Sequence, residues 1–252
     1  MNDKSRLNAG RGLARIGVVV PMSNSNLEPD MYSVLPQGVT VHFARAGGYD
    51  LDKVPDSEQM RKFAEGALED ILQPLVAVRP HILLYGCTSA TLSHGPAYDH
   101  QFVNRMENLS GIPSITAAGA LVEALTDLGL SKVDFASPYT EELNREGADF
   151  LAQSGMEIKN INYVGSDLGN YGQSELTPEQ VFALGFEANS DDSEAIVMSC
   201  TDMRAMEVVD DLEKKINKPV VTSNLALMYV ALKRLNLFTE LPGQLGLLLK
   251  AS

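Results

Sequence analysis

Short apolar runs alternate with longer amphipathic stretches along almost the whole chain. Runs at 15–20, 39–44, 81–85, 113–116, 133–136, 158–164, 195–198 and 219–222 predict strands. Most are continuously apolar, the mark of parallel strands covered on both faces. Between them a helical period predicts helices over 57–78, 98–109, 118–128, 140–154, 178–188, 202–216 and 225–235. The apolar stripe of the first is Phe63, Ala67, Leu68, Ile71 and Leu75. Thr177 before Pro178, with Glu179 and Gln180 following, reads as an N-cap with proline in the first helical position. Gly111, Gly129 and Gly155 follow the ends of three helices, where a left-handed residue closes the last turn. Strict alternation of the two patterns implies right-handed crossovers and an α/β architecture of parallel sheet covered by helices.

The pattern also repeats. Pro21 closes the first strand in Val18-Val19-Val20-Pro21-Met22-Ser23-Asn24, and Pro138 closes the fifth in Phe135-Ala136-Ser137-Pro138-Tyr139-Thr140. At nearly equal intervals after them come Cys87 and Cys200, each followed by a helical stretch and a proline-led strand, Pro113-Ser114-Ile115-Thr116 or Pro219-Val220-Val221-Thr222. Such a repeat predicts two pseudo-twofold related halves, each a four-stranded parallel sheet flanked by helices, with an active site in the cleft between them. The predicted division is 1–118 with 219–252 for one half and 119–218 for the other.

The two cysteines carry the candidate chemistry. Each ends an apolar strand and is followed by threonine, in Tyr85-Gly86-Cys87-Thr88-Ser89 and Ser199-Cys200-Thr201-Asp202. Open α/β sheets place ligand crevices at this end of their strands. A thiol facing a helix N-terminus has its pKa lowered toward neutrality, so both are expected to be reactive and open to the cleft. The alternatives are two small core residues or a disulfide. The start of the chain has no apolar signal segment, which predicts a reducing, cytoplasmic setting and disfavours the disulfide.

Composition narrows the partners. The chain has 252 residues, 44% hydrophobic, with a net charge of −13. That length supports a sizeable core, and the negative charge disfavours nucleic acid. No apolar stretch reaches the ~20 residues that span a bilayer, so no membrane partner is expected. Four scattered histidines predict no metal site.

Several segments resemble one family. Arg15 through Glu28, Tyr85-Gly86-Cys87, Ile112 through Leu125, Ser137-Pro138-Tyr139-Thr140, Ser199-Cys200-Thr201 and Lys218 through Thr222 are similar to motifs of the maleate cis-trans isomerase and arylmalonate decarboxylase branch of the aspartate/glutamate racemase superfamily. Decarboxylases of this branch keep one active-site cysteine, and this chain has both. Its Thr201-Asp202-Met203-Arg204 stands where maleate isomerases carry glutamine and methionine, and is closer to the ectoine-utilisation group.

The resemblance implies a cofactor-independent isomerase of a small carboxylate, foremost maleate to fumarate through a covalent Cys87 adduct with Cys200 as acid/base. It also implies a homodimer or homotetramer. The alternatives are a two-cysteine racemase of an Asp/Glu-type or ectoine-derived amino acid, and a non-catalytic small-acid binding protein. By the same resemblance Asn24, Tyr139 and Asn170 bind substrate. Each has a plainer reading: Asn24 as an Asx-turn or cap, Tyr139 as a core residue, Asn170 as part of a solvated 165–174 loop. Ser23, Thr88, Ser89 and Thr201 are expected to add backbone N–H or hydroxyl donors.

Overall fold

Among the described residues eight strands form, and every pairing among them is parallel. The computed structural model describes residues 12–47, 56–66, 68–165, 168–237 and 246–248. The first half runs β1 (Ala14–Pro21), α1 (Leu27–Ser33), β2 (Val39–Ala46), α2 (Ser57–Glu65), α3 (Leu68–Ala77), β3 (Ile82–Tyr85), α4 (Thr88–Leu92), α5 (Pro96–Ser110), β4 (Ser114–Thr116) and α6 (Ala117–Asp127). The second runs β5 (Lys132–Ser137), α7 (Glu141–Gln153), β6 (Glu157–Tyr163), α8 (Gly169–Glu175), α9 (Pro178–Ala188), β7 (Ala195–Met198), a 3-10 turn (Ala205–Glu207), α10 (Val209–Ile216), β8 (Val220–Thr222) and α11 (Ser223–Arg234).

The sheets have the same topology, β2-β1-β3-β4 and β6-β5-β7-β8. All four residues of β3 and of β7 are buried, while the edge strands β2 and β6 are half open. The proline-led strands end alike because their threonines are helix caps. Thr116 Oγ1 accepts from Gly119 N–H at 2.9 Å to start α6, and Thr222 Oγ1 from Leu225 N–H at 3.1 Å to start α11. These two helices pack together; α6 also reaches β8, and α11 reaches β3, so they tie the halves to each other. Their outer ends are linked by Tyr229 Oη donating to Asp127 at 3.0 Å and by Arg234 on Glu123 at 2.7 Å. Ser223 through Leu232 are all buried.

Several local expectations need correction. The stretch 57–78 is two helices, because Gly66 is extended (φ −61°, ψ 179°) and interrupts the helical hydrogen bonds; Ala67 lies outside the described residues. The helix expected from Tyr98 starts at Pro96, with Gly95 before it. The 165–174 segment, read as a loop, contains most of α8. The helix expected over 202–216 begins only at Val209. Asp202 does not cap it, because its carboxylate is bound by the backbone of Ser25 and Asn26 across the cleft.

Candidate active site

Four strand ends converge between the sheets on a cavity of about 50 Å³, room for a small molecule only. Its walls are Pro21 at the end of β1 with Ser23 and Asn24 after it, Cys87, Thr88 and Ser89 after β3, Tyr139 and Leu143 after β5, and Cys200, Thr201 and Asp202 after β7. Met60 and Phe63 from α2 and Gln173 from α8 complete it. Both cysteines are free and share this cavity. The approach of β3 to β1 here requires glycine: a Cβ on Gly86 would lie 2.3 Å from Leu27 Cδ2 and 3.0 Å from the Val19 carbonyl oxygen.

A buried hydrogen-bond web crosses the cleft. Asn24 Nδ2 donates to Thr201 Oγ1 at 3.0 Å, and Thr201 Oγ1 donates to the Gly86 carbonyl at 2.9 Å. Asn24 Oδ1 accepts from Asn26 N–H and Leu27 N–H at 3.2 and 3.0 Å, so the asparagine both caps the start of α1 and faces the cavity. Asn224 Nδ2, at the start of α11, donates to Asp30 at 2.7 Å and to the Thr201 carbonyl at 3.1 Å. Thr88 donates to Ser223 at 2.9 Å. Tyr139 Oη lies 3.3 Å from Ser199 Oγ.

The thiols are not the exposed, acidic groups the sequence suggests. Cys87 and Cys200 are only 6% and 5% exposed. Burial pushes Cys87 up to about 11, against the lowering effect of the Ala90 N–H and the Ser89 hydroxyl 3.7 Å away. Burial raises Cys200 further, and the Asp202 charge adds to that; the Asp202 N–H, 3.3 Å from Sγ, opposes it. A turn follows Cys200, so it lacks a helix N-terminus, and α4 after Cys87 is a single short helix. Desolvation therefore outweighs the backbone donors at both sites. Burial also raises Tyr139, as does the nearby Cys200.

Among the expected residues, Cys87, Cys200, Asn24, Tyr139, Ser23, Thr88, Ser89 and Thr201 all line the cavity. Asn170 lies in α8, and its side chain is outside the described part of the structure. Sequence reasoning missed Gln173, whose Oε1 accepts from the Cys200 thiol at 3.2 Å. One turn of α8 separates it from Asn170, a signal visible only once that segment is read as helical. It also missed Met60 and Phe63, one turn apart on α2, and Asp202. His94 stacks on Tyr98 with centroids 3.7 Å apart, and does not line this cavity. Among the described residues no cluster of His, Cys, Asp and Glu could hold a metal ion.

Comparison with known proteins agrees with this fold. The chain is 28% identical over 244 residues to the maleate isomerase of Alcaligenes faecalis, covering 91% of this chain and 94% of that protein. It is 25% identical over 249 residues to the maleate isomerase of Geobacillus stearothermophilus, covering 93% and 96%. The crystal structure of the maleate isomerase Iso from Pseudomonas putida S16 superposes with a TM-score of 0.84 at 26% identity, over 94% of this chain and 98% of that one. The family model described as arylmalonate decarboxylase matches residues 16–248, and the chain belongs to that family, Amdase.

Proposed function

We propose that the protein is a cofactor-independent isomerase that converts maleate to fumarate. The observation that carries this reading is the meeting of two strand-end cysteines, one from each sheet, in a single small cavity with amide and hydroxyl donors. The maleate isomerases similar to the chain over nearly its full length support the substrate.

In the reactive state the pair holds one proton, with Cys87 as thiolate and Cys200 as thiol. Cys87 is the less strongly raised of the two, so it is the first to ionise. Its sulfur adds to C2 of maleate, and the C2–C3 π electrons move onto C3 and its carboxylate as an enediolate. Cys200 delivers its proton to C3. The C2–C3 bond is now single and rotates; Cys200 takes a proton back from C3, the double bond re-forms, and the Cys87 thiolate leaves. Charge builds on the substrate carboxylate during addition, where fixed N–H and hydroxyl donors stabilise it. Asn24, Tyr139 and Asn170 are assigned to hold the substrate, with Ser23, Thr88, Ser89 and Thr201 as further donors.

The same proposal divides the chain into 1–118 with 219–252 and 119–218; the packing of α11 on β3 supports the return of α11 to the first half, whereas β8 pairs with β7 and α6 packs on β4, each across that division. It includes a homodimer or homotetramer, which light scattering on the purified protein measures. No helix among the described residues is long and apolar enough to cross a membrane, and the localisation assigned with this function is cytoplasmic. Racemisation of an amino acid is the second reading. Asp202 favours it, being a carboxylate in the cavity wall that could pair with an α-ammonium.

Proton NMR of maleate with the purified protein in deuterated buffer tests the proposal. A fumarate signal that grows with wild type and is absent with Cys87→Ser supports it. No fumarate, with loss of an α-proton signal from a chiral amino acid, replaces it with the racemase.

A further inference from the structure

The cavity has an unusual charge balance for a site that is to bind two carboxylates. Among its described lining residues there is no lysine, arginine or histidine, and Asp202 contributes a carboxylate of its own. The described arginines beside its walls are already engaged: Arg204 holds Glu207 through Nε at 2.6 Å and a second nitrogen at 2.9 Å, and Arg45 donates to the Asn24 carbonyl at 2.8 Å and pairs with Glu28. The other titratable groups coupled to Asp202 are Asp30 on α1 and the two thiols, with Tyr139 also in the cavity wall. All of these are neutral or negative.

The bonding of Asp202 suits a carboxylic acid as well as a carboxylate. Its Oδ1 accepts from Ser25 N–H at 2.8 Å, Asn26 N–H at 3.1 Å and Asn26 Nδ2 at 3.3 Å. These bonds survive protonation of the other oxygen, because Oδ1 then serves as the carbonyl oxygen of the acid. The remaining partner, the Ser25 hydroxyl, can accept as readily as it donates.

We propose that Asp202 takes up a proton when a dicarboxylate binds, and holds one substrate carboxylate by donating a hydrogen bond as the neutral acid. The inference rests on the dicarboxylate reading of the same cavity. It makes a proton, rather than a fixed cation, the counter-charge of the bound dianion. Burial already raises Asp202 to about 6 in the free protein. A dianion beside it disfavours the carboxylate further and raises it again. The sign follows: the complex binds more protons than the free site, so affinity falls as pH rises above the free value.

Isothermal titration of maleate into the Cys87→Ser protein, which binds without turnover, tests this. The titration is run at pH 7.5 in buffers of different ionisation enthalpy. The expected result is uptake of close to one proton per site, and a Kd that rises roughly tenfold between pH 7 and pH 8. Adding Asp202→Asn, which keeps the Oδ1 acceptor and an N–H donor, should remove both the uptake and the pH dependence. Binding without proton uptake, or with undiminished uptake in the Asp202→Asn background, overturns the inference and leaves the isomerase intact. Absence of maleate binding together with absence of fumarate formation by wild type overturns both.

Discussion

Among the described residues Thr201 is the one side chain that bonds to both Asn24 and Gly86, so replacing its hydroxyl should disconnect the two halves of the site. Thr201 is 4% exposed, accepts from Asn24 Nδ2 and donates to the Gly86 carbonyl. In Thr201→Val the shape is kept, and a buried donor and a buried acceptor lose their partner together. An orphaned buried polar group costs ~1–3 kcal/mol, so the pair should cost ~2–6 kcal/mol of folding free energy. Thr201→Ser keeps both bonds and loses one methyl, for ~1 kcal/mol. Urea unfolding measures the stabilities, and kcat/KM for maleate measures whether Asn24 stays in place. The expected order is wild type, then Ser, then a much weaker Val, with kcat/KM at least tenfold lower in Val than in Ser. A valine variant as stable and active as the serine one would refute the reasoning, because the bridge would then hold nothing.

Other outcomes follow from groups in and around the cleft. With Cys87 raised to about 11, alkylation by iodoacetamide should be slow at neutral pH and climb about tenfold per pH unit toward pH 10; fast, pH-independent labelling at pH 7 would contradict the burial argument. Asp30 is raised by burial to about 7, so the folded protein holds a proton there that the unfolded chain loses near pH 4. That contribution is complete below about pH 4 and is lost as pH rises to about 7. Asp30→Asn should therefore match wild type near pH 4 and be more stable at pH 8, by on the order of 2 kcal/mol in urea unfolding. Gly147→Ala would put a methyl 2.6 Å from Phe135 Cζ, and should cost ~1–3 kcal/mol. Phe135→Leu in the same chain should recover part of that loss.

What could be read from the sequence was whatever depends on local pattern. The buried strands β3 and β7 are unbroken apolar runs, and α9 opens on the N-cap expected from Thr177 and Pro178, which Gln180 completes as a capping box. The repeat of cysteine and proline-led strand predicted two like sheets, and the two topologies match. Pattern failed where a side chain's partner is distant in sequence. Asp202 resembles a helix start, yet its carboxylate bonds to Ser25 and Asn26 on the other side of the cleft. Gln173 carries no local sign that it would face Cys200. The thiol acidity failed for a related reason, since strand-end position is local but desolvation is set by everything packed around the sulfur.

The duplication also explains why two similar thiols are not equivalent. Both halves bring a cysteine to the same strand end, but the chain after it differs. Cys87 is followed at once by α4, which offers the Ala90 N–H, whereas Cys200 enters a turn carrying Asp202. Burial raises Cys200 further than Cys87, and in the free protein the charge of that aspartate adds to the rise while its backbone N–H still reaches the sulfur. A covalent isomerisation needs this inequality. One sulfur must ionise first to attack, and the other must keep its proton for C3. Two identical environments would leave the pair equally reluctant to do either, so the divergence of the loops after β3 and β7 is what turns a structural repeat into a nucleophile and an acid.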